Sequence, residues 1–204
     1  MSALLPSVSA AVEGDLDEAI LRRLARDIGL RVGTVYGKNG KDDLDRRLAG
    51  YDNAARFAPW IILRDLDHDA ECPPELRGRL LPDPAPGLCF RIPVRSTEAW
   101  LLADPTNLAR YLSIRPGRIP PHPEELPRPK RTLVDLARGS RRAAIVREMV
   151  PPPGISSEVG PAFAARLADF ARGTWDPRRA SRTASSLLRT LRALRTLRDT
   201  LDSG

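Results

Sequence analysis

The run Trp60-Ile61-Ile62-Leu63 constrains this chain more than any other four residues. It offers no polar position, so neither face can turn to water. A short unbroken apolar run of this kind suits a strand covered on both sides. Pro59 opens it, and the polar stretch Arg64-Asp65-Leu66-Asp67-His68-Asp69 closes it. Residues 7–12, 30–36 and 88–94 read as three further strands. Between them, apolar residues recur at helical spacing: Leu16, Ala19, Ile20, Leu24 and Ile28 over 15–28, then Leu44, Leu48, Tyr51 and Ala55 over 42–57. Gly29 ends the first of these helices. Ser96 is placed to cap a helix through Trp100, Leu101 and Leu102, with Glu98 in its first turn. Strands alternating with helices predict an α/β fold with a mainly parallel sheet of about four strands flanked by helices.

Beyond residue 113 the pattern changes. Residues 114–129 form a Pro-dense connection, and helical spacing resumes over 132–137, 141–150 and 158–172. A long last helix begins at about Asp176. The expected organisation is an α/β domain over 1–113 and a basic helical extension over 114–204 packed on it. Charge follows the same division. Residues 1–127 carry 17 basic and 19 acidic side chains, a net of −2, while residues 128–204 carry 16 and 7, a net of +9. Of the 33 cations 30 are arginine. A compositional preference for arginine explains the choice of Arg over Lys, but not that asymmetry. An acidic region beside a basic arm is one arrangement that holds a phosphodiester. No apolar run approaches the ~20 residues of a membrane span. The first residues lack the Lys or Arg of a signal peptide. With two cysteines only, the expected setting is the reducing cytoplasm.

Two clusters carry chemistry. Val12-Glu13-Gly14 follows the first strand, with Asp17 four residues past Glu13, and Asp65-Leu66-Asp67 follows the third. In an open α/β sheet, ligands gather outside the carboxyl ends of the strands, so acids from two strand ends meet there. Crowded carboxylates repel, and hard oxygen ligands suit Mg²⁺ or Mn²⁺. A solitary Asp-x-Asp is more often a solvated loop or a helix cap; its conjunction with Glu-Gly after an earlier strand is what points to a metal.

These residues resemble a family. Val12-Glu13-Gly14 and Asp65-Leu66-Asp67 are similar to the TOPRIM domain of topoisomerases, bacterial primases and the overcoming-lysogenization-defect nucleases. The wider stretch Arg64-Asp65-Leu66-Asp67 and Ile92-Pro93-Val94-Arg95-Ser96-Thr97-Glu98-Ala99-Trp100-Leu101-Leu102-Ala103-Asp104 resembles the TOPRIM-like domain of unknown function 4276. Lys130 and Ala184-Ser185-Ser186-Leu187 fit that group more loosely. The resemblance implies a TOPRIM-like fold in which Glu13 is a metal ligand or a general acid/base, and Asp65 and Asp67 are the paired metal-binding aspartates. It makes Asp17 the second acid of the nuclease pattern Glu-Gly-x-x-Asp. No tyrosine stands in a recognisable cleavage context, so topoisomerase activity is not expected. An ATPase, if the chemistry needs one, belongs to a partner.

The remaining candidates have two readings each. Glu98 is a ligand for a second metal or a favourable carboxylate at a helix N-terminus. Lys38, Lys41 and Lys130 are the only lysines; Lys130 is the candidate to stabilise phosphate charge, against the reading of a solvated surface lysine. His68, Cys72, Cys89 and His122 match no zinc spacing. Arg178, Arg179, Arg182, Arg189, Arg192 and Arg195 flank the apolar stripe of the last helix, either as a solvated face or as phosphate contacts. The expected function is Mg²⁺- or Mn²⁺-dependent phosphodiester cleavage, a nuclease of phage defence or DNA repair. The alternatives are a non-catalytic nucleic-acid-binding subunit of a defence complex, and a hydrolase of a small phosphorylated molecule.

Overall fold

A computed structural model describes residues 5–203. Four strands, β1 (Ser7–Val12), β2 (Arg31–Gly37), β3 (Trp60–Leu63) and β4 (Leu88–Arg91), form one sheet in the order β2-β1-β3-β4. Every pairing is parallel. The chain passes from β1 to β2 through α1 (Asp15–Asp27), then returns across β1 to β3 through α2 (Lys41–Ala54). It continues in that second direction to β4 through α3 (Pro73–Leu80). Right-handed crossovers that run in opposite directions must lie on opposite faces of a sheet. Accordingly α1 covers one face and α2 and α3 the other.

The strand residues divide by the two-residue alternation of a pleat. Val8, Ala10, Val12, Ile61 and Leu63 face the α1 side, and Ala11, Trp60, Ile62 and Phe90 face α2 and α3. The run over 60–63 is buried at all four positions, as its composition requires. The α1 side carries the rest of the molecule. Here α4 (Thr97–Leu102), α5 (Pro105–Leu112), α6 (Pro129–Arg138), α7 (Ala143–Met149), α8 (Phe163–Arg172), α9 (Pro177–Ala180) and α10 (Ser185–Asp202) build outward from α1. One continuous core crosses residue 113, joining Ile20, Trp100, Phe170, Trp175 and Leu187.

Three segments differ from the sequence reading. Residues 73–80 and 105–112, read without helices, form α3 and α5, each opened by proline. Proline is a good first helical residue because its missing N–H has no partner to lose there. The last helix is broken: α9 ends at Ala180 and α10 starts at Ser185. Glu124 from the Pro-dense connection accepts from Ser185 N at 2.8 Å and Ser186 N at 2.9 Å, and so caps the second piece. Ser186 Oγ in turn accepts from Trp100 Nε1 at 2.7 Å and Val94 N at 3.1 Å. The Ala184-Ser185-Ser186-Leu187 stretch therefore joins α10 to the loop that leaves β4.

Gly37 ends β2 at φ +83°, and a Cβ there would lie 2.4 Å from Val12 O. Both the left-handed backbone and the close approach exclude a side chain. Gly37→Ala is expected to destabilise the protein by at least ~2 kcal/mol, a fall in Tm of roughly 4–8 °C. An unchanged melt would show that the loop after β2 yields without cost.

Candidate metal and phosphate site

Val12 and Leu63 are register partners, so β1 and β3 end together. They flank the point where the chain reverses its direction across the sheet, which is where an open α/β sheet leaves a crevice. Backbone bonds from Lys38 N to Val12 O (2.9 Å) and from Gly40 N to Glu13 O (3.0 Å) fix the turn out of β1. Glu13 Oε1 accepts from Asp65 N at 2.7 Å. Asp65 Oδ1 accepts from Thr97 N at 3.0 Å, at the start of α4. Thr97 Oγ1 donates to Asp17 Oδ1 at 2.6 Å. Glu98 is buried beside them, and Lys130 Nζ from the first turn of α6 stands 3.8 Å from Glu98 Oε1. Glu13, Asp17, Asp65, Glu98 and Lys130 thus line one cleft of about 320 Å³.

Asp67 stands differently. It adopts φ 50°, and its Oδ2 is 3.1 Å from Lys41 Nζ, which also holds Asp69 at 3.0 Å. It lines an adjoining cleft of about 250 Å³ that shares Glu13, Asp65 and Lys130 with the first and adds Arg95, Arg128 and Arg131. The floor of the paired clefts is acidic and their rim is basic. Asp67 arrives with its charge partly neutralised, whereas Asp65 has no cationic partner within 4 Å among the described residues.

Burial and mutual repulsion leave a mark on the floor. Burial raises the Glu13 carboxyl to about 7, opposed by the bond from Asp65 N and assisted by the charge of Asp17. Burial raises Asp17 to about 6, with the Thr97 hydroxyl opposing and Glu98 adding repulsion. Asp65 is pushed well above the carboxylate range by burial, then by Asp17, Glu98 and Glu13. A cation among groups so placed would favour their ionising together.

Carboxylate oxygens are the ligand type that a hard divalent ion takes. Each of Glu13 and Asp65 has one oxygen anchored by a backbone N–H and a second with no protein donor among the described residues. Ser96 Oγ, buried beside them in the adjoining cleft, has no hydrogen-bond partner among the described residues. Among the described residues, no group of three or more His, Cys, Asp or Glu side chains is already gathered closely enough to hold a metal ion. The arrangement suits an ion that keeps water ligands and takes others from a substrate phosphate, as Mg²⁺ does. His68, Cys72, Cys89 and His122 are not gathered into any such set either.

Several contributors were not readable in the sequence. Thr97 binds two of the carboxylates, yet a lone Thr after Ser96 reads only as a helix start. Ser96 occupies the cap position of α4, but its hydroxyl makes no cap bond, and Asp65 takes that place. Arg64, 3% exposed, pairs with Asp45 at 2.9 Å and Asp69 at 2.6 Å, and its Nε lies 4.0 Å from Glu13. It anchors the acidic loop from beneath. Lys38 is held by Glu18 at 2.9 Å and Asp15 at 3.4 Å, away from the phosphate role open to Lys130.

The arginines of the last segment do not form one patch. Arg179 is engaged by the fully buried Asp104 at 3.5 Å and by Asp176 at 3.9 Å. Arg178 and Arg182 are exposed. Along α10, Arg189 and Arg192 are exposed and Arg195 is half-buried, and Arg198 donates to Ile28 O at 3.0 Å. At 3.6 residues per turn, a step of three falls short of a full turn by ~60°. Arg189 and Arg198 therefore end on opposite sides of the helix.

Among the described residues, no helix is long and apolar enough to cross a membrane. No family model, no curated protein and no solved structure matches the chain.

Proposed function

We propose that the chain is a divalent-metal-dependent phosphodiesterase acting on nucleic acid, with its reaction centre in the paired clefts at the ends of β1 and β3. The observation that carries this reading is the acidic floor of Glu13, Asp17, Asp65 and Glu98 beneath the cationic rim of Arg95, Arg128, Lys130 and Arg131. A floor of one sign alone would attract a cation. An acidic floor beneath a cationic rim also suits a phosphate held over the ion. The TOPRIM-like resemblance of Glu13, Asp17, Asp65 and Asp67 agrees with it, and a nuclease of phage defence or DNA repair in the cytoplasm is the setting that it suggests.

Glu13, Asp17, Asp65 and Glu98 would hold Mg²⁺ or Mn²⁺, with Asp67 at the border. When bound, the ion supplies Lewis-acid stabilisation of charge on the phosphate oxygens. The protein's own groups do the rest. Arg95, Arg128 and Arg131 orient the phosphate through forked N–H donors. Water attacks phosphorus and loses its proton to the unanchored Oε2 of Glu13, which Asp65 N holds in position through Oε1. The leaving oxygen departs as the P–O bond breaks, with Lys130 Nζ–H at hand to protonate it.

The test is cleavage of plasmid, linear and single-stranded DNA and of RNA, with nucleotides in parallel, with and without Mg²⁺ or Mn²⁺. Glu13→Gln keeps the acceptor for Asp65 N and removes the base. It is expected to lower turnover by ~10²–10⁴-fold with smaller effect on substrate binding. Metal-independent binding without cleavage would replace this reading by a non-catalytic nucleic-acid-binding subunit. Turnover of nucleotides alone would replace it by a small-phosphoester hydrolase.

A further inference from the structure

The open edge of the sheet carries a second charged cavity, of about 700 Å³, and its charge is of one sign. Arg91 is the last residue of β4, Arg77 comes from α3 and Arg189 from α10, and all three line it. They come from three elements far apart in sequence, so no local periodicity placed them together. None of the three has a carboxylate within salt-bridge distance among the described residues, and no acid lines the cavity. Arg189 donates to Ser185 Oγ at 3.2 Å. Among the described residues Arg91 makes no side-chain hydrogen bond, and its Nε is buried without a partner.

Such an arrangement is unfavourable in isolation. A buried N–H without an acceptor costs free energy, and like charges brought together repel. The strain registers on Arg91, whose pKa is lowered by burial and by the charges of Arg77 and Arg189. An anion in the cavity removes both penalties at once.

We propose that the Arg77–Arg91–Arg189 cavity is a binding site for a phosphate monoester, carried by a nucleotide or by the phosphorylated end of a nucleic-acid strand. Three converging cations match a dianionic phosphate better than a single carboxylate, and guanidinium forks match its oxygens two at a time. The remaining wall is apolar, with Pro73, Leu81, Pro82 and Ile92, and the cavity is large enough for the organic part of a nucleotide. The site shares no residue with the acidic clefts and needs no metal.

The experiment uses the full chain with excess chelator, so that failure here is separate from failure of the metal-dependent reading. Calorimetry compares a nucleoside 5′-monophosphate with its nucleoside, and a 5′-phosphorylated single-stranded oligonucleotide with its 5′-hydroxyl form. The phosphorylated member of each pair is expected to bind at least tenfold tighter. Tighter binding of the nucleotide pair alone identifies a free nucleotide, and of both pairs a strand end as well. Arg77→Gln with Arg189→Gln alters two exposed side chains, and should reduce that binding at least tenfold with Tm unchanged. Arg91→Gln should reduce it further. Cys72 is exposed in the same cavity, whereas burial pushes the Cys89 thiol up to about 11. Alkylation at pH 8 thus reports on Cys72 first, and the nucleotide should slow it. The proposal is overturned if phosphorylated and unphosphorylated probes bind alike, if the double variant binds as wild type does, or if a hexaglutamate peptide binds more tightly than the nucleotide.

Discussion

Raising the pH of the metal-free protein from 5 to 8 is expected to lower its melting temperature, and millimolar Mg²⁺ or Mn²⁺ to restore it. The sign follows from the floor of the cleft. Glu13, Asp17 and Asp65 have folded-state pKa values raised above those of the unfolded chain, so the folded state holds more protons across the window between them. Stability is then fully present below the unfolded values and is lost as pH rises through the folded ones. For Glu13 the window runs from 4.5 to about 7, and for Asp17 from 3.8 to about 6. A carboxyl shifted across such a window is worth ~3 kcal/mol, which corresponds to roughly 6–12 °C in a domain of this size. Asp65→Asn keeps the acceptor for Thr97 N and removes one charge. In chelator at pH 8 it should be at least as stable as wild type, and should bind the ion more weakly because an amide is the poorer ligand for a hard cation. Melts in chelator at several pH values, repeated with each ion, decide this. A wild-type Tm that does not fall with pH and does not rise with metal would reduce the acids to caps and salt-bridge partners.

Arg64→Met should be the most destabilising substitution at the site. Its guanidinium is buried and holds Asp45 and Asp69 while facing Glu13. Met has similar reach but no charge, so the carboxylates remain and their neutralisation goes. Removing one partner of a buried pair costs ~3–5 kcal/mol, more than the pair itself contributes relative to an apolar replacement. Asp69 retains Lys41, so the loss should fall mainly on Asp45. Arg64→Met with Asp45→Leu, which removes both ends of that pair, should therefore recover part of the loss. Urea denaturation of wild type, both single variants and the double variant measures the coupling. If Arg64→Met loses less than about 1 kcal/mol, the guanidinium is not what holds the acidic loop in place.

The two predictions depend on different kinds of information. That Glu13 and Asp65 meet followed from the sequence, because parallel strands of matched length release the residues after them at one end of a sheet. The strand over 60–63 could be read because a run without polar residues has only one kind of surroundings open to it. Lys130 could be singled out only as one of three lysines; nothing in its spacing places the first turn of α6 over Glu98. Nor did composition show that Asp67 has Lys41 for a partner while Asp65 has none within salt-bridge distance among the described residues.

What the sequence determined by itself is the periodic part: four strands, the helices with a clear apolar face, and the acids at the strand ends. These rest on short-range rules, in which a side chain's direction is fixed by the pleat or the helical turn. The tertiary structure alone decided which charges face one another. Arg77, Arg91 and Arg189 are separated by 14 and 98 residues in the chain, yet share a cavity without an acid. Arg189 and Arg198 are neighbours on one helix, yet face opposite ways. Electrostatic partnership depends on distance in space, and only packing α3 and α10 against the edge of β4 fixes that distance.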